Sequence, residues 1–65
     1  MRNCFIELTD SDNVKFLMNV YHIAWIEPGK NGSVLKSNLV NYSLPKKVQE
    51  SYDEIKLLIK ALESN

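Results

Sequence analysis

The C-terminal stretch limits the fold more than any other part of the chain. Glu50-Ser51-Tyr52-Asp53-Glu54-Ile55-Lys56-Leu57-Leu58-Ile59-Lys60-Ala61-Leu62 has a helix start signal and a single apolar stripe. Ser51 is placed to cap the helix, and Glu54, three residues on, to reach back and complete a capping box. Ile55, Leu58, Ile59 and Leu62 recur at i, i+3, i+4 and i+7 and so share one face. The spacing predicts a helix over 52–63. Asp53 and Glu54, together with Glu50, complement the positive end of its dipole. Such a face needs a surface to lie on, and the first fifty residues read as the sheet that receives it.

Those residues alternate with a period of two. Asn3 to Thr9 places Cys4, Ile6 and Leu8 on one side of a strand and Phe5 and Glu7 on the other. Asp10-Ser11-Asp12-Asn13 is a turn by composition. Val14 to Val20 forms the second strand of a hairpin, with Val14, Phe16, Met18 and Val20 opposing Lys15, Leu17 and Asn19. His22 to Glu27 is a third strand, with Ile23 and Trp25 opposing Ala24 and Ile26. Pro28-Gly29-Lys30-Asn31-Gly32 ends it, and Asn31-Gly32 supplies residues that tolerate positive φ. Ser33 to Leu39 is a fourth strand. A turn is expected between Val40 and Ser43, then a fifth strand over Leu44 to Gln49. Pro45 lacks an N–H, so that strand begins there or lies at an edge. The fold class is therefore α+β: one domain, residues 1–65, with a small antiparallel sheet of four to five strands within 3–49 followed by one C-terminal helix.

A chain of 65 residues buries only roughly 60% of its unfolded surface. Domains of this size usually add a disulfide, a metal or a partner subunit. The single cysteine, Cys4, excludes an internal disulfide, and Cys4 with the single histidine, His22, is too few ligands for a structural zinc site. A partner subunit remains. The strands point to the same conclusion, because they carry apolar residues on both faces while one helix covers only one. Phe5, Leu17, Ile23 and Trp25 are the residues expected to lie uncovered and to form a contact between copies or with a protein partner.

Eight Lys+Arg balance eight Asp+Glu, which argues against a general affinity for nucleic acid. The lysines are unevenly spread. Between Pro28 and Gln49 the only charges are Lys30, Lys36, Lys46 and Lys47, a candidate anion-binding patch if they share a face. Catalysis, metal binding and a cofactor are not expected. Cys4 lies in an apolar strand with no orienting third residue for a Cys–His pair. Asp10-Ser11-Asp12-Asn13 lacks the glycine and the closing glutamate of a calcium loop. The two glycines, Gly29 and Gly32, make no phosphate loop. No apolar run follows Arg2 and none approaches a membrane span of about 20 residues; with a lone thiol, this gives a cytoplasmic expectation.

Three segments carry a family resemblance. Phe5-Ile6-Glu7-Leu8-Thr9 is similar to the opening strand of the small FlbD-like (SwrD-like) bacterial proteins. Asn19-Val20-Tyr21-His22-Ile23-Ala24-Trp25-Ile26-Glu27-Pro28 resembles their middle, and Val48-Gln49-Glu50-Ser51-Tyr52-Asp53-Glu54-Ile55 their ending. The resemblance implies a small sheet with a C-terminal helix and no known catalysis; the named members are linked to flagellar motility, and related short frames occur in bacterial chromosomes and phages. Here Val40-Asn41-Tyr42-Ser43 stands in place of the family's Asn/Asp-Gly turn. A more limited resemblance is to the carbon storage regulator (CsrA) proteins, through Pro45-Lys46-Lys47-Val48 and Glu54-Ile55. It implies a strand-exchanged, RNA-binding dimer. The places matching its RNA-binding arginine hold Tyr52, Asp53 and Glu54, however, and the first strand carries Glu7 followed by Asp10 and Asp12, a charge arrangement that repels phosphate. The leading expectation is a small, non-enzymatic, homo-oligomeric accessory protein. Alternatives are an RNA-binding regulator using the 28–49 segment and a phage-encoded inhibitor or ligand-binding protein.

Overall fold

The computed structural model describes residues 4–39 and 45–63. The chain order is β1 (Phe5–Thr9), β2 (Lys15–Asn19), a 3-10 turn (Val20–His22), β3 (Ile23–Gly29), β4 (Gly32–Ser37), β5 (Lys46–Val48) and α1 (Tyr52–Glu63). The architecture is a small α+β fold of antiparallel strands and a C-terminal helix. The turn expected within Val40–Ser43 lies outside the described residues, as does Leu44 of the expected fifth strand.

The strands divide into two sheets rather than one: β1-β2, and β3-β4-β5. The cause is local. Asn19 turns its side-chain oxygen onto the Tyr21 N–H at 2.9 Å, which captures Val20 and its neighbours in a 3-10 turn instead of extending β2. The sheets are joined at one corner, where Asp10 bridges Val48 and the Gln49 N–H donates to the Thr9 carbonyl at 2.8 Å.

The β1-β2 turn is built by Asp10. Its carboxylate accepts from the N–H groups of Asp12 at 2.9 Å and Val14 at 3.0 Å, and Asn13 takes the left-handed conformation, φ 66°, as asparagine tolerates. The second hairpin closes between Gly29 and Gly32, so Lys30 and Asn31 form its two-residue loop. The positive φ sits on Gly32, at 123°, and not on Asn31. A Cβ at Gly32 would land on the Val48 carbonyl oxygen of the neighbouring strand, so glycine here lets β4 and β5 close up.

Several expected strand ends move inward: β2 loses Val14 and Val20, and β3 begins at Ile23 rather than His22. β4 stops at Ser37 rather than Leu39 because Asn38 turns back to the 3-10 turn, its N–H to the His22 carbonyl and its side-chain amide to the Tyr21 carbonyl. β5 stops at Val48 because Gln49 is taken by Thr9. Pro45 immediately precedes β5, where its missing N–H costs no ladder bond.

The core is Ile6, Leu8, Leu35, Val48 and Ile55, with Phe16, Met18, Val20, Ile23, Ile26, Ile59 and Leu62 packed around it. The alternation in β1 and β2 falls on the expected sides. In β3 it does not. A register shift between Ile23 and Trp25 sets Ile23 on the core side with Ile26, so Ile23 leaves the face on which it was expected to accompany Trp25. The capping box of α1 forms as the spacing predicts, with Ser51 N–H to Glu54 Oε1 and Glu54 N–H to Ser51 Oγ, both at 3.1 Å. The stripe is narrower than expected: Ile55, Ile59 and Leu62 pack on the core, while Leu58 falls to the solvent margin and Leu57 is exposed.

Candidate interaction surface

Pairing fixes which side chains share a face. In β1-β2, Ile6 lies opposite Met18 and Leu8 opposite Phe16, all toward the core. The outer face therefore carries Phe5 beside Asn19, Glu7 beside Leu17, and Thr9 beside Lys15. Phe5 is 43% exposed and Leu17 65%; they are diagonal neighbours across the pair. In the second sheet, Trp25 lies opposite Lys36, and Glu27 and Lys47 flank Val34. Trp25 is 48% exposed, with the Lys36 ammonium 5.0 Å from its ring centre. Phe5, Leu17 and Trp25 are thus uncovered, but on two separate outer faces with the core between them. Ile23 belongs to neither.

The lysine patch does not assemble. Lys30 is in the β3-β4 loop. Lys36 and Lys47 are on the outer face, with Glu27 in the same cross-strand row as Lys47. Lys46 pairs with buried Leu35 and so projects on the opposite side, its ammonium 5.1 Å from the Phe16 ring centre. A period of two explains the split: adjacent Lys46 and Lys47 must point to opposite faces.

Glu50 does something its position in the sequence conceals. Its carboxylate is not spent on the helix start. Oε1 accepts from the Thr9 N–H and Oε2 from the Thr9 hydroxyl, each at 2.8 Å, and the Glu50 carbonyl accepts from the Ser33 hydroxyl at 2.7 Å. One residue thereby ties β1, β4 and the start of α1. The Gln49 amide adds a bond to the Asp10 carbonyl at 2.9 Å. No local signal marks the pairing, since Thr9 and Glu50 are 41 residues apart.

Burial pushes the Glu50 carboxyl pKa up, but the Thr9 N–H and hydroxyl bonds, its own backbone N–H and the charge of Lys15 outweigh this, leaving it below the ordinary 4.5. A carboxylate whose pKa is lower folded than unfolded contributes stability that is complete above the unfolded value and lost as pH falls through the folded one. Urea midpoints of the wild-type chain are therefore expected to fall as pH drops below about 4.5, and the fall to be shallower in Glu50→Gln. Equal slopes would remove Glu50 from the acid response.

Among the described residues, no group of three or more His, Cys, Asp and Glu side chains is placed to hold a metal ion, and no helix is long and apolar enough to cross a membrane. Comparison of the chain with family models, curated proteins and solved structures gives no match. The functional reading therefore rests on the surface itself.

Proposed function

We propose that this chain is a small non-enzymatic interaction protein that works as a homo-oligomer, in the manner of an accessory protein of the FlbD-like kind and in the cytoplasm. The observation that carries the reading is the imbalance between core and surface. Five apolar side chains make the buried core, while Leu17 lies largely in water and Phe5 and Trp25 nearly half in water on the outer faces of the sheets. Covering what remains exposed is worth on the order of 1–2 kcal/mol for each. Together that is comparable to the whole stability a core of this size supplies, roughly 3–5 kcal/mol. Covering these faces with further copies is the most direct remedy available to a chain with one cysteine and one histidine. The best-defined carboxylate, Glu50, is engaged by Thr9 as a structural tie, which fits a non-catalytic role.

Light scattering coupled to gel filtration tests the reading. Wild-type protein is expected at a multiple of its 7.5 kDa chain mass. Phe5→Ser/Leu17→Ser and Trp25→Asp, each on its own outer face, are to be compared with it; a fall in mass identifies the face used. A wild-type chain that stays monomeric at high micromolar concentration would overturn the proposal.

A further inference from the structure

The β1-β2 ladder has a parity that exposes one of its edges. The Val20 N–H donates to the Cys4 carbonyl and the Asp10 N–H to the Val14 carbonyl, both at 2.9 Å. Both pairs continue the β1-β2 register, in which Ile6 meets Met18 and Leu8 meets Phe16. Hydrogen-bonded and non-bonded pairs alternate in an antiparallel ladder. The even-numbered residues of β2 thus point their main-chain groups at β1. Lys15 and Leu17 point theirs away, and among the described residues no hydrogen bond reaches them there. Asn19 also points away, but as the cap of the Val20–His22 turn it gives its carbonyl to that turn and offers only its N–H.

The edge of β3 and the Thr9 end of β1 are guarded. The two-residue loop makes Gly29 and Gly32 a bonded pair. Counting back in twos puts Pro28 at a position facing the free edge of β3, where it offers no N–H, and the register shift at Ala24 interrupts the same edge. Proline and bulges are the usual protections of an edge strand. On β1, the outward groups of Thr9 are taken by Gln49 and Glu50. β2 has neither device. It is regular, and its outward-facing row centres on Leu17, 65% exposed.

We propose that β2 is the docking edge for a second copy of this chain, paired antiparallel across a two-fold axis at Leu17. This deepens the homo-oligomer reading and rests on it. The register is self-consistent. Leu17 meets Leu17 of the other copy, Lys15 meets Asn19 and Asn19 meets Lys15, giving about four main-chain hydrogen bonds. The outer faces join into one apolar surface carrying Phe5 and Leu17 from each copy. On the inner side Phe16 meets Met18, a favourable sulfur–aromatic pair. The two Lys15 ammonium groups are kept about 13 Å apart along the strands, beyond a Debye length of about 8 Å. A parallel pairing would set them side by side.

Cysteine cross-linking in the full-length chain, with Cys4→Ala as background, tests the geometry. Two Cα atoms in a bonded antiparallel pair are about 5.5 Å apart, within disulfide range. Under mild oxidation Leu17→Cys is expected to give a covalent species of doubled mass. Lys15→Cys and Asn19→Cys are each expected to stay monomeric in denaturing gels, and to cross-link when mixed. Glu7→Cys, on the same face but one strand inward, is the control and is expected not to link. Circular dichroism of each reduced variant establishes that it is folded. If Lys15→Cys links to itself as readily as to Asn19→Cys, the register is wrong. If the wild type is oligomeric and no β2 cysteine links, association uses another surface and this proposal falls while the oligomer reading stands. A monomeric wild type removes both.

Discussion

Replacing Gly32 by alanine is expected to cost about 3 kcal/mol or more, the sum of two penalties that glycine avoids. The residue holds φ 123°, a backbone conformation that costs an L-residue on the order of 1–3 kcal/mol. The added Cβ also lands on the Val48 carbonyl oxygen, with the Gln49 carbonyl oxygen 3.0 Å away. These are backbone atoms and cannot swing aside, so the strands must part, at a typical overpacking cost of another 1–3 kcal/mol or so. Gly29 is the internal control. A Cβ there meets nothing closer than the Gly32 carbonyl oxygen at 3.4 Å, and Gly29→Ala is expected to cost less than about 1 kcal/mol. Urea midpoints at unchanged slope measure both.

The consequence of the first substitution is larger than its local cost. β5 is three residues long, and it abuts the joint to β1 through the Asp10–Val48 bridge and the Gln49–Thr9 hydrogen bond. Pushing Val48 away from β4 loosens the corner at which the sheets meet and displaces one of the five core side chains. In a domain whose core supplies roughly 3–5 kcal/mol, Gly32→Ala is expected to leave much of the chain unfolded at 25 °C. Equal stabilities of the Gly29 and Gly32 variants would mean that β4 and β5 do not approach as closely as described.

What was legible in the sequence is what local chemistry decides. Ser51 and Glu54 are three residues apart and find each other within the helix they start. The alternation of Ile6 and Leu8, and of Phe16 and Met18, is enforced by the pleat. The Asp10 turn is set by its own carboxylate. What was not legible depends on partners distant in the chain. Glu50 reads as one more acid near a helix start until Thr9 is brought to it. The alternation through Ile23, Ala24, Trp25 and Ile26 reads as a regular strand, but one shifted residue sends Ile23 to the core and leaves Trp25 alone outside. The lysines from Lys30 to Lys47 look like a patch in one dimension and are divided between faces in three. Pro28 was the available clue to the second sheet's free edge, since a proline inside a strand is tolerated where its missing N–H faces outward. The open edge of β2 could be found only once the bonding parity of the hairpin was known.

The tie between Thr9 and Glu50 carries the other large effect. Thr9 is 8% exposed, and both its main-chain N–H and its hydroxyl donate to the one carboxylate. Glu50→Ala removes both acceptors while leaving the donors in place, shut away from water. A buried donor deprived of its acceptor costs about 1–3 kcal/mol, and the lost bonds are of the stronger, charge-assisted kind. The expected loss is about 2–3 kcal/mol at pH 7. Glu50→Gln keeps one acceptor oxygen for the Thr9 N–H and can donate its amide to the Thr9 hydroxyl oxygen; it is expected to fall between wild type and alanine because the charge assistance is lost. The pairing itself is isolated by a double-mutant cycle with Thr9→Val, which deletes the hydroxyl and keeps the N–H. If Glu50 acts through Thr9, the two substitutions overlap, and the double variant is less destabilised than the sum of the singles by about 1 kcal/mol. Additivity would mean that the Thr9 hydroxyl takes no part in the tie. The link from Glu50 to β1 would then rest on the Thr9 N–H alone, beside the Asp10–Val48 bridge and the Gln49 bonds.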